Sequence, residues 1–370
     1  MTRVPFATVL LLPLTLCAQK GNISVWLTNP DKSALFALQD SALSFSKSAK
    51  QLPAIEVNDK QKYQSIDGFG FALTGGSAQL LIHMSSEKRT AILKELFADD
   101  EKNIGLSYIR VSIGASDMND RVFSYDDLPE GQTDPKLEHF SLKQDEADVI
   151  PVLKEILVIN PKLKILGTPW SAPAWMKTNE KVKGGKLKEK DYPVYAKYLV
   201  RYLQGMKGHG ITIDAITPQN EPLNPKNTPS MVVTAPEEDA FIKNDLGPAF
   251  KKANIRTKIL LYDHNCDVPE YPLSILRDSA ARKYVDGSAF HLYGGKIDAM
   301  SQVHDAFPKK NLYFTEFMAE DLQHPELMPV VGPVHGTVIG ATRNWSRNVL
   351  LWNLAADPQF GPHTNDGGCP

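Results

Sequence analysis

The amino-acid sequence predicts an α/β fold in which a closed (β/α)8 TIM barrel, preceded by a small sheet, makes up most of the chain. Eight apolar runs of strand length follow one another from residue 65 onward, and segments with helical spacing of apolar residues separate them. Alternating strands and helices are typical of a parallel sheet, and eight repeats close a barrel. The chain of 370 residues is long enough for a barrel of about 250 residues and an appendage.

The predicted strands are residues 65–73, 105–113, 164–170, 213–221, 258–265, 287–293, 311–317 and 348–355. The predicted helices are residues 85–98, 145–159, 192–206, 236–253, 271–284 and 335–347. The first of these helices opens with the residues SSE, which suit a helix N-terminus. An open doubly wound sheet is the alternative, but no Gly-x-Gly-x-x-Gly turn follows an early strand.

The N-terminus has the parts of a secretory signal peptide. Arg3 precedes an apolar stretch at residues 9–16, and small residues follow that stretch. The stretch is too short to span a bilayer, and a buried helix is the structural alternative. Cleavage after Ala18 is favoured over a lipoprotein signal that would anchor Cys17, because Leu16 stands where a small residue is expected. We therefore expect residues 1–18 to be a signal peptide and the mature chain to be exported.

Strand-like alternation of apolar residues also occurs before the barrel, at residues 23–28 and 55–57. A polar stretch rich in Ser and Lys separates the two segments. We expect residues 19–62 to contribute one or two strands of a small sheet and residues 63–370 to form the barrel.

Composition excludes several kinds of partner and cofactor. With 41 basic and 43 acidic residues the net charge is −2, so the chain has no excess of positive charge that would attract nucleic acid or an anionic membrane. The three cysteines, Cys17, Cys266 and Cys369, make no disulfide framework, and no Cys and His pattern has zinc spacing. His264, near Cys266, is interpreted as structural rather than as a ligand. The sequence predicts no metal and leaves the oligomeric state open.

Polar and aromatic side chains collect at the C-terminal ends of the predicted strands, where barrels of this kind carry their chemistry. From the second strand to the eighth they are Arg110 and Asp117, Trp170, Asn220 and Glu221, His264 and Asn265, His291 and Tyr293, Glu316, and finally Trp352 and Asn353. No single residue is persuasive, but their convergence on one face predicts an active site there.

Two of these residues, Glu221 and Glu316, point to cleavage of a glycosidic bond, which needs one carboxyl group to protonate the leaving oxygen and another to attack the sugar carbon. Pro222 ends the strand before it, so that Glu221 can face the barrel mouth. Burial and a neighbouring carboxylate would raise the pKa of Glu221, as an acid requires. Asn220 suits a hydrogen bond to a sugar hydroxyl. A structural acid at a strand end is the alternative for Glu221.

Glu316 is the single ionisable residue between positions 314 and 317, in an apolar strand. An acid is seldom left in such a place without a partner or a function. The alternative to catalysis is a buried ion pair with Arg110 or Arg343. If both acids line one mouth, a separation of about 5–5.5 Å would indicate a retaining mechanism.

Four aromatic residues and a group of lysines have two interpretations each. Trp170, Trp175, Tyr293 and Trp352 suit platforms for sugar faces or packing within the barrel. Residues 177–190 hold six lysines and a Gly-Gly pair, a pattern typical of a solvated loop, with binding of an acidic group as the alternative.

Residues 60–362 resemble glycoside hydrolase family 30, the family of glucosylceramidases and endo-β-1,6-glucanases, and most closely its exported bacterial members. The matching segments are DGFG at 67–70, YIRV at 108–111, PWSAPAWMK at 169–177, NEP at 220–222, HLY at 291–293, TE at 315–316 and WNL at 352–354. The loop at 71–77 and the tail at 361–364 also have counterparts in those members. Such an ordered series of motifs is far more specific than any one of them.

The resemblance implies that Glu221 is the acid/base and Glu316 the nucleophile of an enzyme without metal or organic cofactor. It places a set of further residues around the glucose subsite: Arg110, Asp117, Trp170, Asn220, His291, Tyr293 and Trp352. Within this set Tyr293 would hydrogen-bond the nucleophile, while Asp117 and Trp170 would hold distal hydroxyls.

Two departures from the family pattern matter. Gly75-Gly76 stands where the glucosylceramidase branch has an acidic residue, which favours β-glucans over a strictly ceramide-linked substrate. Family members also continue past the eighth strand into a closing helix and a β-sandwich, whereas this sequence ends at Pro370. We therefore expect a barrel lacking its last helix, with remnant N-terminal strands of a β-sandwich side domain whose unpaired edges favour aggregation.

The sequence thus predicts an exported retaining glycosidase acting on a carbohydrate or glycolipid, with β-1,6-glucan ahead of glucosylceramide and xylan less favoured. The alternative is a β-glucan-binding protein without catalysis, which two carboxylates standing well over about 6 Å apart would support. A structural barrel without a ligand would not explain the polar strand ends.

Overall fold

The structure, a computed structural model, describes residues 22–29, 31, 33–40, 43–44, 53, 55–100, 102–319 and 333–364. The predicted signal peptide, with Cys17, lies outside these residues, as does Cys369. The described residues fall into two units, which divide between Gln61 and Lys62.

The N-terminal unit contains four strands of two residues each. They are β1 (Asn22–Ile23), β2 (Trp26–Leu27), β3 (Ala37–Leu38) and β4 (Leu43–Ser44). β1 pairs with β4 and β2 pairs with β3, both antiparallel. The prediction of a strand at residues 55–57 is wrong. Residues 55–57 have no strand conformation, and Ile55 is 93% exposed, so its side chain is not buried as a half-buried strand would require.

Eight parallel strands of the second unit form a closed barrel, which confirms the predicted fold class. They are β5 (Gly68–Leu73), β6 (Tyr108–Ile113), β7 (Lys164–Pro169), β8 (Ala215–Ile216), β9 (Lys258–Cys266), β10 (Val285–Gly295), β11 (Asn311–Glu316) and β12 (Ser346–Asn353). Each strand pairs with the next along the chain, and β12 pairs with β5 to close the sheet.

Helices lie between the strands of the barrel. They are α1 (Gly75–His83), α2 (Ser86–Phe97), α3 (Val149–Ile159), α4 (Tyr192–Gly208), α5 (Ala235–Phe241), α6 (Gly247–Lys252), α7 (Glu270–Arg277), α8 (Ser279–Arg282), α9 (Ala299–Ala306) and α10 (Gly340–Arg343). From β12 to Thr364, the end of the described chain, no helix follows. None of the described helices has the length and apolar character needed to cross a bilayer.

The sequence did not predict α1 and α9, and it merged helices that the structure separates. α1 starts with two glycines, which are poor helix formers, and depends on Thr74, whose hydroxyl accepts a hydrogen bond from the Ser77 amide. A wider π-helical stretch, Ile242–Leu246, lies between α5 and α6. Asp278 ends α7 and caps α8, so one predicted helix becomes two.

The interior of the barrel has an apolar layer beneath a polar one. The apolar layer takes one side chain from each of seven strands: Tyr108, Leu166, Ala215, Leu260, Ala289, Tyr313 and Leu350. Because strand side chains alternate, the next interior position lies two residues further on. There the buried residues include Arg110, Thr168, Thr217, His291 and Thr315. The apolar layer therefore closes the barrel below a polar cluster at the C-terminal ends of the strands.

β9 breaks this alternation with a bulge. Tyr262 and Asp263 have φ angles of 74° and 53°, in the left-handed region that non-glycine residues seldom adopt. The pairing of β9 with β10 shifts at this point, so that Ala289 faces Tyr262 while Phe290 faces His264. One extra residue is therefore inserted, and Asp263 instead of Tyr262 enters the polar layer.

β5 and β6 approach each other closely at Gly70. A Cβ atom there would lie 1.7 Å from the carbonyl oxygen of Tyr108. Only glycine therefore permits this strand spacing at Gly70.

Candidate active site

A cavity of about 500 Å³ opens at the C-terminal ends of the barrel strands. Its lining residues are Asp117, Trp170, Glu221, Leu223, Asn224, Pro225, Lys226, Asn227, His264, Asn265, Tyr293, Glu316, Met318 and Trp352. Six of the nine predicted site residues are among them. The other three, Arg110, Asn220 and His291, are buried beneath the cavity.

Glu316 ends β11, and both of its carboxylate oxygens are held. Oε2 accepts a hydrogen bond from Arg110 Nη1, and Oε1 accepts one from the hydroxyl of Tyr293 at 3.1 Å. The ion pair with Arg110, proposed from the sequence as an alternative to catalysis, therefore exists. It orients Glu316 at the cavity wall and leaves the carboxylate lining the cavity, so the pair and a catalytic role are compatible.

Glu221 follows β8 at a φ of 43°, a strained conformation for this residue type. Its amide donates to the carbonyl oxygen of Asp263 at 3.0 Å, which fixes the backbone against β9. Oε2 accepts hydrogen bonds from Asn224 at 2.7 Å and from Asn227 at 3.2 Å. Oε1 lies 3.4 Å from His291 Nδ1. Three side chains thus hold the Glu221 carboxylate over the cavity.

Asp263 connects the polar residues under the cavity. Oδ2 accepts hydrogen bonds from Arg110 Nη2 at 2.9 Å and from Thr217 at 2.8 Å. Oδ1 accepts from Thr315 at 2.6 Å and lies 3.0 Å from His291 Nε2. Burial would raise the pKa of Asp263, but the Arg110 guanidinium and His291 hold it well below its usual range. Asp263 is therefore an anion between two cationic side chains.

Arg110 is 0% exposed and cannot reach the cavity. Besides the two carboxylates, it donates to Asn220 Oδ1 at 2.7 Å, and its guanidinium carbon lies 4.8 Å from the ring centre of Trp170. Arg110 thus orients groups that line the cavity. The sequence led us to expect Arg110 itself to line the sugar subsite, but its side chain lies beneath that surface.

His291 shares a proton with the acids around it. Burial alone would lower the pKa of His291, but Glu316, Asp263 and Glu221 raise it to about 9. Burial would likewise raise the pKa of Glu221, but the hydrogen bond and charge of His291 lower it to about 2. Burial raises the pKa of Glu316 despite His291 and Arg110. These shifts favour a protonated His291 and an ionised Glu221, opposite to the raised Glu221 pKa expected from the sequence.

The two glutamates lie close enough to act on one bond. Ligand atoms of Glu221, His291 and Glu316 all lie within 4.8 Å of one another. This spacing also meets the distance requirement of a cation site. However, a cation would have to displace the proton of His291 and compete with the Arg110 charge already paired with Glu316. The group is therefore better suited to sharing a proton than to binding a metal.

Aromatic side chains form one wall of the cavity. The rings of Trp170 and Trp352 lie 5.4 Å apart, and the indole Nε1 of Trp170 is buried without a hydrogen-bond partner among the described residues. Tyr293 is 45% exposed and stacks on Phe317. Asp117 also lines the cavity. A flat apolar wall with polar edges is typical of sites that hold a sugar ring.

Several residues differ from their predicted settings. Trp175 packs in the core with its Nε1 bonded to Asp126, so it is not a platform. Lys177 is buried and does not belong to a solvated loop. Cys266 is a buried thiol in the core, but His264 lines the cavity with its Nδ1 at 3.9 Å from Glu221.

Three residues that contact the site were not predicted from the sequence: Asp263, Asn224 and Asn227. Asn224 and Asn227 follow the NEP motif closely, and their positions after a strand end are the signal that could have suggested them. Asp263 gave no such signal, because alternation along β9 places its neighbour inside the barrel.

Known proteins share this fold and sequence. The endo-1,6-β-D-glucanase of Neurospora crassa is 36% identical over 315 residues, covering 83% of this chain and 64% of that protein. The lysosomal acid glucosylceramidase of Mus musculus is 27% identical over 334 residues, covering 84% of this chain and 63% of that protein. The chain thus spans a little under two thirds of these relatives.

Solved structures of related glycosidases and other proteins also superimpose on this chain. An endo-β1,6-glucanase superimposes with a TM-score of 0.86 at 34% identity, covering 94% of this chain and 77% of that chain. SrfJ from Salmonella typhimurium superimposes with a TM-score of 0.83 at 28% identity, covering 92% and 76%. Residues 66–363 match the glycosyl hydrolase family 30 TIM-barrel domain, a span that contains all eight barrel strands and both strand-end glutamates. The chain belongs to glycosyl hydrolase family 30.

Proposed function

We propose that the chain is a retaining glycosidase that cleaves β-linked glucosides, with β-1,6-glucan ahead of glucosylceramide-type substrates. The observation that carries the proposal is the approach of Glu221 and Glu316, whose carboxylate oxygens lie within 4.8 Å across the cavity. Retaining enzymes keep their two carboxyl groups about 5–5.5 Å apart, whereas inverting enzymes leave room for a water molecule at about 6.5–9.5 Å. The names of the relatives, endo-1,6-β-D-glucanases and glucosylceramidases, support the substrate class.

In the proposed reaction Glu316 attacks the anomeric carbon and the bond from that carbon to the leaving oxygen breaks. Glu221 protonates the leaving oxygen, then removes a proton from the water that hydrolyses the glycosyl-enzyme. The proton that Glu221 needs is stored on His291, whose Nδ1 lies 3.4 Å from Glu221 Oε1. Transfer of this proton from Nδ1 to Oε1 would prepare the acid when a substrate binds.

The remaining site residues have roles that follow from their positions. Because Asn220 Oδ1 accepts from Arg110, the amide nitrogen of Asn220 is the atom available to a sugar hydroxyl. The buried Trp170 Nε1 and the Asp117 carboxylate offer a donor and an acceptor at the same cavity. Trp352 supplies apolar surface beneath the sugar ring.

The alternative of a β-glucan-binding protein without catalysis receives no support from this geometry. That alternative requires well-separated carboxylates, and a module that only binds has no need of two acids sharing a proton with His291. The signal-peptide pattern of residues 1–18 supports export of the mature chain, with Cys17 as a possible site of lipid attachment.

The test is release of nitrophenol from an aryl β-glucoside by the purified chain and three variants. Glu316→Gln should abolish turnover, because the nucleophile is lost. Glu221→Ala should be slow but recover in azide, which attacks the glycosyl-enzyme without a general base. Glu270→Gln, at an exposed ion pair with Arg277, is the matched control and should behave as the parent. Full turnover by Glu316→Gln would overturn the proposal.

A further inference from the structure

We infer that Lys177 is a positioning residue for the general acid: it fastens the loop that holds Glu221 to the neighbouring loop of the barrel. This inference rests on the proposed role of Glu221 as the acid. The two loops are the lysine segment, residues 177–188, and the asparagine loop, residues 222–232.

The Lys177 side chain crosses from one loop to the other inside the protein. It is among the largest fully buried side chains, and its Nζ donates to the carbonyl oxygens of Ser230 at 2.7 Å and Val182 at 3.0 Å. No ion pair of Lys177 occurs within the described ranges. Burial lowers the pKa of the Lys177 amine to about 7. The amine therefore makes hydrogen bonds to two carbonyl acceptors in a buried setting.

Backbone and hydroxyl contacts join the same two loops around this amine. The Ser230 amide donates to the Val182 carbonyl at 3.1 Å, and the Val232 amide donates to Gly185 at 2.8 Å. The Ser230 hydroxyl accepts from the Gly184 amide at 2.9 Å and donates to the Pro225 carbonyl at 3.0 Å. The Lys177 side chain adds a donor to a carbonyl on each side of this junction.

The asparagine loop reaches the reacting groups directly. Asn224 and Asn227 lie in it, both donate to Glu221 Oε2, and both line the cavity. Ser230 follows Asn227 by three residues, so the carbonyl that Lys177 holds is near the base of the segment that orients Glu221. Lys177 does not touch the cavity and acts only through this loop.

A loosened loop would impair protonation of the leaving group more than attack by Glu316. A substrate with a poor leaving group requires the acid, whereas a dinitrophenyl glucoside departs with little protonation. The value of kcat/KM reports the steps up to release of the leaving group. If Lys177 positions Glu221, replacing Lys177 should lower kcat/KM more for the substrate with the poor leaving group. If the replacement only destabilises the protein, kcat/KM should fall equally for both substrates.

The experiment measures kcat/KM of the parent, Lys177→Met and Lys183→Met on a β-1,6-linked glucose disaccharide and on dinitrophenyl β-glucoside. Lys177→Met should lose about 100-fold on the disaccharide and less than about 3-fold on the dinitrophenyl glucoside. Lys183→Met changes an exposed lysine of the same segment and should match the parent. Equal losses on both substrates, or no loss, would overturn the inference.

Two further variants keep the result decisive. If Lys177→Met does not fold, Ser230→Ala tests the same junction without a change of charge, and it should lose about 10-fold on the disaccharide alone. Glu221→Gln separates this inference from the proposed function. If Glu221→Gln lowers kcat/KM equally on both substrates, Glu221 is not the acid. If Glu221→Gln lowers kcat/KM only on the disaccharide, while Lys177→Met and Ser230→Ala lower it on neither substrate, the role of Lys177 alone is refuted.

Discussion

Replacing Asp263 by asparagine should destabilise the barrel and change its response to pH. The carboxylate accepts hydrogen bonds from Arg110 at 2.9 Å and Thr217 at 2.8 Å, and it contacts His291 at 3.0 Å and Thr315 at 2.6 Å. Two of these partners are cationic, and a hydrogen bond to a charged group is worth about 1.5–3 kcal/mol. Removing one partner of a buried ion pair costs about 3–5 kcal/mol, so we expect a loss of about 4 kcal/mol in the free energy of unfolding.

Urea unfolding measured on parent and variant tests this value. A loss of about 4 kcal/mol corresponds to a melting temperature lower by roughly 5 °C for a chain of this size. Asp286→Asn is the control, because Asp286 accepts hydrogen bonds from the neutral Asn311 and Tyr313 and should lose less. A loss below about 1 kcal/mol for Asp263→Asn would refute the reasoning that the charge anchors the polar layer.

The same substitution should also affect catalysis through His291. Asp263 is one of the groups that raise the pKa of His291 to about 9. Without it His291 loses its proton at lower pH, so the alkaline limb of the kcat/KM profile should move toward neutrality. A profile with an unchanged alkaline limb would show that His291 is not the group that stores the proton.

Three other substitutions test separate features. Tyr293→Phe removes the hydrogen bond to Glu316 and should lower kcat about 100-fold while the melting temperature stays within about 2 °C, since the ring is half exposed. Burial raises the pKa of Asp145 to about 7, above the usual range of an aspartic acid, so the folded chain retains a proton that the unfolded chain releases. Asp145 should therefore contribute a loss of about 4 kcal/mol to the stability of the parent between pH 4 and pH 7, and Asp145→Asn should make that slope shallower in urea unfolding. Gly70→Ala should cost about 3 kcal/mol or more by forcing β5 from β6, whereas Gly208→Ala, in open space at the end of α4, should be neutral or stabilising in the same thermal melts.

Much of the fold was predictable because the barrel strands are apolar and regularly spaced. The same regularity placed the strand ends on one face, and with them Glu221 and Glu316. β8 shows the limit: only Ala215–Ile216 form a strand within the predicted run of residues 213–221. The following backbone still lies along its neighbours, because the amide of Asn220 donates to Pro169 at 2.8 Å.

The features that sequence reasoning missed depend on contacts between distant segments. Alternation along β9 puts Tyr262 inside the barrel, and the bulge that puts Asp263 there instead has no local signature. Lys177 stands in a lysine-rich run whose composition is that of a surface. It becomes buried because the chain near Ser230 closes over it, and that closure is a tertiary event.

The bulge in β9 decides which side chain that strand places in the polar layer. Loops at the barrel mouth can gain or lose residues while the strands remain in register. Regular pairing of β9 with β10 through this point, with all residues kept, would instead turn Tyr262 into the interior and Asp263 out of it, and would leave Arg110 and His291 without their common anion. In this family member a more regular strand would therefore be a worse scaffold for chemistry. Designers who borrow the barrel should keep its irregular strand and vary its loops.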